Sequence, residues 1–116
     1  MILPPILSID TSKTDEVVLD LEISAGLEAF GGHFPDQPIL PGVVQIDWAL
    51  RFANLYLNVM EQAARDFQVK FRSVIVPGKP LFLILHIDRS KKKLSFEYKS
   101  DQNIMSSGQM RLGAVA

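Results

Sequence analysis

The chain has 116 residues, 47% of them hydrophobic and 22% charged, with 12 Lys and Arg against 13 Asp and Glu for a formal net charge of −1. That size and balance fit one soluble globular domain over residues 1–116, and they argue against a general nucleic-acid or membrane-surface binder. The absence of cysteine excludes disulfides, thiol catalysis and cysteine-held metal.

The opening stretch, Met1 to Leu7, lacks the basic segment of a signal peptide and is broken by Pro4 and Pro5, and no apolar run approaches the roughly 20 residues that span a bilayer. A cytoplasmic location is the expectation. Glu16 to Ile23 alternates on Val17, Leu19, Leu21 and Ile23, as a half-buried strand does. Residues 27–40 are rich in aromatics and prolines, with Gly31 and Gly32 permitting a tight bend. Pro41 suits the first turn of a helix, which is predicted to run through Val43, Val44, Ile46, Asp47, Leu50, Phe52, Leu55 and Leu57 to near Arg65. Apolar residues cover most of its circumference in the first half, which predicts a central, largely surrounded helix.

The remainder reads as sheet. Strands are predicted over Gln68–Val76, Leu81–Arg89, Leu94–Lys99 and Ile104–Leu112, with turns at Pro77-Gly78 and Ser90–Lys93 and an interruption at Gly108. Short connections favour an antiparallel sheet, and only the long helix is available to cover its apolar face. The expected class is α+β: an antiparallel sheet of about five strands and one long helix.

One segment carries chemistry. Gly32-His33-Phe34-Pro35-Asp36-Gln37-Pro38-Ile39-Leu40-Pro41-Gly42-Val43 puts a lone histidine in a loop stiffened by Pro35, Pro38 and Pro41. Asp47 follows as a single carboxylate in an apolar helix. The pattern resembles the signature of the bacterial β-hydroxyacyl-acyl-carrier-protein dehydratases, roughly Gly-His-Phe-Pro-x-x-Pro-x-x-Pro-Gly-Val followed by Glu or Asp. Asp47-Trp48-Ala49-Leu50-Arg51-Phe52 is similar to the short dehydratases of aryl-polyene pathways. This resemblance implies the hotdog fold, with the sheet wrapped around the helix, and loss of water from a (3R)-3-hydroxyacyl thioester to give the trans-2-enoyl thioester. It implies no metal and no cofactor. The implied partners are an acyl carrier protein bearing the acyl phosphopantetheine, or an acyl-CoA, and a second subunit in a homodimer or dimer-based oligomer.

Such a reaction takes a proton from C2 and protonates the hydroxyl leaving C3. Histidine, with a reference pKa near 6.5, suits the first task, and His33 matches the family's catalytic histidine. Asp47 matches the family's acid. Lodged among Val43, Val44, Ile46 and Leu50, it is expected to be costly to ionise and so able to hold a proton or anchor the hydroxyl. Charge building on the thioester oxygen needs N–H donors, and Gly42 at the helix start matches the family's glycine in that role. Phe34, Pro41, Val43, Trp48 and Arg51 are the expected substrate contacts, although Trp48 also reads as core.

Two positions depart from the commoner pattern: Asp36 stands where glycine is frequent, and Arg51 where many dehydratases have glutamine. Arg51, one turn from Asp47, could pair with it and weaken its part as an acid. His86, in an apolar strand, reads as structural, and Arg65, Lys70, Arg72 and Lys79 could form a patch for an acidic carrier. The rival functions are a hotdog acyl thioesterase, which would not need His33 at this spacing, and a non-catalytic acyl-binding hotdog subunit.

Overall fold

The structure, a computed structural model, describes residues 3–27, 30, 38–59 and 63–113. In chain order its elements are the strands Ile6–Asp10 (β1) and Glu16–Leu21 (β2), the helix Gly42–Leu57 (α1), and the strands Ala63–Phe71 (β3), Leu81–Asp88 (β4), Lys93–Ser100 (β5) and Asn103–Gly113 (β6). The strands form one antiparallel sheet in the order β1-β2-β4-β5-β6-β3. Its inner face carries the alternating apolar residues: Val17, Leu19 and Leu21 from β2, Leu81, Leu83, Leu85 and Ile87 from β4, Leu94, Phe96 and Tyr98 from β5. The helix lays Val44, Trp48, Ala49, Phe52 and Ala53 against them, a stripe at i, i+4, i+5, i+8 and i+9.

Two cross-strand rows on the inner face matter for the site. One runs Leu19, Leu83, Tyr98, Ser106, Phe71 from β2 to the edge strand β3. The next runs Val17, Leu85, Phe96, Gly108, Val69. A Cβ added at Gly108 would stand 2.5 Å from the Phe96 ring, so the ring occupies the space a side chain would take. Gly108→Ala is therefore expected to destabilise the fold by about 1–3 kcal/mol through overpacking, read as a lower urea midpoint. An unchanged midpoint would show that Phe96 can turn aside without loss.

The structure corrects the expectation of about five strands to six. The additional strand is β1, whose Leu7 and Ile9 are exposed and which therefore lacks the inward alternation of β2, β4 and β5. Asp10 Oδ1 accepts the Ser12 N–H at 2.8 Å, the side-chain turn that folds β1 back on β2. The Ser12 N–H, and after it the Ser12 side chain, hold the Asp10 carboxyl below the usual carboxylate range. The helix also ends earlier than expected, at Leu57 and not near Arg65. Asn58 takes the left-handed conformation, φ 52°, a common helix stop. Arg89 Nη2 donates to the Leu57 carbonyl and Arg89 Nε to Asp15, both at 2.8 Å. Among the described residues the helix is covered on one side, with Val43 74% and Leu55 60% exposed, so the expected surrounding is incomplete among them. The third strand spans 63–71 instead of 68–76, because the N–H groups of Arg72 and Ser73 both turn to the Met105 carbonyl and the chain leaves the sheet there.

Candidate active site

Backbone bonds hold part of the helix start. Leu40 N–H donates to the Ile75 carbonyl at 2.8 Å, and the Pro41 carbonyl accepts from Val44 at 3.1 Å and Gln45 at 3.2 Å. Pro41 is the N-cap, with extended φ −62° and ψ 147° and no side-chain cap. The N–H groups of Gly42 and Val43 thus have no acceptor among the described residues. They are the unfilled donors at the positive end of a 16-residue helix.

Beside them lies an open hollow of about 570 Å³, with Ile39 to Gly42 on one side, Phe71 to Val74 on the other, and Gln45 between. A Cβ on Gly42 would stand 2.6 Å from Phe71 Cζ. Glycine is what lets the edge-strand ring, and equally a ligand, come down onto the backbone at this point. Of the expected site residues, Pro41 and Gly42 line this hollow. His33 and Phe34 lie outside the described residues.

Asp47 stands further along the same helix, and its surroundings differ from the apolar niche expected. Its side chain is 39% exposed and it pairs with Arg51, whose Nε lies 3.1 Å from Oδ2 and 3.4 Å from Oδ1. The two oxygens are not equivalent. Oδ1 takes the aligned hydrogen bond, while Oδ2, itself shielded from solvent, feels the guanidinium charge without an aligned donor. Among the described residues Oδ2 thus keeps acceptor capacity that no aligned donor uses. Trp48 is fully buried in the core, and its indole N–H has no acceptor among the described residues. His86 points to the outer face of the sheet, where it lines a shallow trough with Lys70 and Arg72, away from the helix.

Three residues that the sequence did not single out surround the helix start. Gln45, only 3% exposed, bridges the Leu40 carbonyl and the Ser106 hydroxyl. Tyr98 Oη donates to the Gln45 carbonyl at 2.7 Å. Burial, and after it the Asp47 carboxylate, push the Tyr98 phenol well above its ordinary range, so it remains an O–H donor at neutral pH. The available signal was slight: a glutamine amid apolar helix residues, and a serine and a tyrosine at inward strand positions.

The comparisons agree with this architecture. Residues 9–109 match the family model of the ApeI-like proteins, described as ApeI dehydratase. A chain of the dehydratase heterocomplex ApeI:P from Xenorhabdus doucetiae is 34% identical and superposes with a TM-score of 0.88, over 96% of this chain and 98% of that one. An uncharacterised protein from Erwinia carotovora subsp. atroseptica is also 34% identical, with a TM-score of 0.83 and 98% of both chains covered. A 3-hydroxyacyl-[acyl-carrier-protein] dehydratase, FabZ, from Clostridium botulinum is 33% identical over 76 residues, covering 60% of this chain. The chain spans about half the length of the curated relatives it matches, 54% of that one. With the model matched over most of its length and the fold shared end to end, the chain belongs to the ApeI-like dehydratase family and has the hotdog fold.

Proposed function

We propose that this chain removes water from a (3R)-3-hydroxyacyl thioester, carried on acyl carrier protein, to give the trans-2-enoyl thioester in fatty-acid or aryl-polyene synthesis. The observation that carries the reading is the pair of unfilled N–H donors at Gly42 and Val43, with Gly42 lining a hollow at the start of the helix that bears Asp47. A thioester oxygen received there gains hydrogen bonds as negative charge develops on it, and those bonds need no rearrangement at the moment of reaction. His33 is assigned the C2 proton. Asp47 is assigned the hydroxyl: as the C3–O bond breaks, the departing oxygen takes a proton from the carboxyl and leaves as water. The proton gained by the imidazole must then return to the carboxylate, directly or through solvent, before the next cycle.

Arg51 occupies a place where it can hold Asp47 in one orientation, and Arg72, lining the hollow, supplies positive charge for a phosphopantetheine phosphate or an acidic carrier. Among the described residues no helix is long and apolar enough to cross a membrane, which is compatible with the cytoplasmic location we propose. The working unit is proposed to be a dimer: β3 is an edge strand with Phe67 and Phe71 exposed, and the open side of α1 exposes Val43 and Leu55. The related Xenorhabdus structure is a heterocomplex, so native mass spectrometry of the isolated chain, alone and from its own cells, decides between a second copy and a different subunit.

The deciding assay presents a 3-hydroxyacyl carrier and follows two products separately. Growth of the conjugated enoyl thioester without free thiol supports dehydration. Release of thiol with the hydroxyl retained would make the chain a thioesterase, and neither product would make it a binding subunit.

A further inference from the structure

Gln45 uses every polar group of its side chain and its carbonyl to connect elements that are otherwise separate. Its Nε2 donates to the Leu40 carbonyl at 3.1 Å, across the helix start. Since a carbonyl can only accept, the amide nitrogen must face Leu40, which turns Oε1 toward β6. There Oε1 accepts the Ser106 hydroxyl at 2.6 Å, and the Gln45 carbonyl accepts the Tyr98 hydroxyl from β5 at 2.7 Å. Gln45, Ser106 and Tyr98 are all buried, so each bond is shielded from competing water, and each unpartnered group would carry a desolvation penalty. Ser106 and Tyr98 are neighbours in the cross-strand row that ends at Phe71, whose ring lies against Gly42.

We infer that Gln45 is a positioning residue that fixes the Gly42 and Val43 N–H groups relative to the sheet, through Leu40 on one side and the Tyr98–Ser106 pair on the other. The chain from Leu40 to Gly42 is short and has no side-chain cap of its own. Its direction is therefore set by what grips Leu40: the Ile75 carbonyl on its N–H and the Gln45 amide on its C=O. Removing the amide frees one of the two grips, and the donors at Gly42 and Val43 lose a fixed aim. A displacement of about 1 Å at such donors can cost roughly 10²-fold in rate. Gln45 itself need not touch the substrate.

This inference rests on the assignment of Gly42 to the thioester oxygen, and the test is chosen so that the two can fail separately. Gln45→Met keeps the length and shape of the side chain and removes both hydrogen-bonding groups. Its kcat is expected to fall about 10- to 100-fold with KM little changed. Amide hydrogen exchange should quicken at Leu40, while Leu83 and Leu85 at the centre of the sheet keep wild-type protection. Gln45→Glu gives a readout that a space-filling role would not move. A protonated carboxylic acid can donate to Leu40 and accept from Ser106, whereas a carboxylate can only accept. Its rate should therefore approach wild type at acidic pH and show an added descending limb as that carboxyl ionises. The charged or titratable groups near it are Tyr98 from β5, Asp47 beyond Tyr98, and Arg72 at the hollow. Wild-type kcat and Leu40 exchange in Gln45→Met would overturn the inference. So would faster exchange across the whole sheet, which would make Gln45 an ordinary core residue. If the wild-type protein does not dehydrate, the assignment of Gly42 fails, and Leu40 exchange still decides whether Gln45 holds the helix start.

Discussion

His33→Ala and Asp47→Asn are each expected to lower dehydration by at least about 10²-fold, the usual consequence of losing a general base or acid. The chemistry divides cleanly between the two. In the proposed mechanism the imidazole takes the C2 proton, and among the described residues no other histidine lines the hollow. Without the carboxyl the hydroxyl must leave as hydroxide. Folding should survive both changes. The Asp47–Arg51 pair is an i, i+4 contact with side chains 39% and 46% exposed, and pairs of that kind contribute only about 0–1 kcal/mol. A lost activity with an intact circular dichroism spectrum and melting temperature therefore reports on chemistry. Near-normal turnover in either folded variant would remove that residue from the mechanism.

The parts of this architecture legible in the sequence are those governed by neighbours in the chain. Alternation marks β2 and β5, and a strongly apolar run marks β4, because one face of each packs on the core. The Pro41-Gly42 step located the helix start to within a residue. What escaped depended on partners far away in sequence. The end of the helix is held by Arg89, 32 residues beyond the carbonyl it caps, and only Asn58 hinted at it locally. The strip Arg72 to Val76 has strand-like composition, yet the amides of Arg72 and Ser73 are drawn off the sheet by Met105. β1 turns Ile6 toward the core but exposes Leu7 and Ile9, so it carries no periodic signal. The bonds of Gln45 span 61 residues to Ser106 and 53 to Tyr98. No local pattern could distinguish that glutamine from a surface one, whereas His33, Gly42 and Asp47 fall within one motif and were named together.

Mixing two inactive proteins is expected to restore activity. If the unit is a homodimer in which His33 of one subunit serves the helix of the other, a dimer of His33→Ala with Asp47→Asn holds one site with both residues intact and one with neither. Random pairing makes half of the dimers mixed, so about a quarter of all sites should work, far above the background of either variant alone. The single chain gives physical reasons for sharing. The hollow at Gly42 is open, the helix has an uncovered side at Val43 and Leu55, and the edge strand β3 presents Phe67 and Phe71 beside it. Joining two sheets at that edge would cover these apolar groups and close the hollow from outside, and ligand sites form readily at such junctions. The experiment unfolds the two variants together, refolds them, confirms mixed dimers by mass spectrometry and measures the enoyl product. Recovery near a quarter of the wild-type rate places the two residues on opposite subunits. Background activity despite verified mixing means that each chain supplies both residues to its own site. A chain that refolds without pairing to itself points to a different hotdog subunit on the β3 edge, and the same mixing test then applies to that pair.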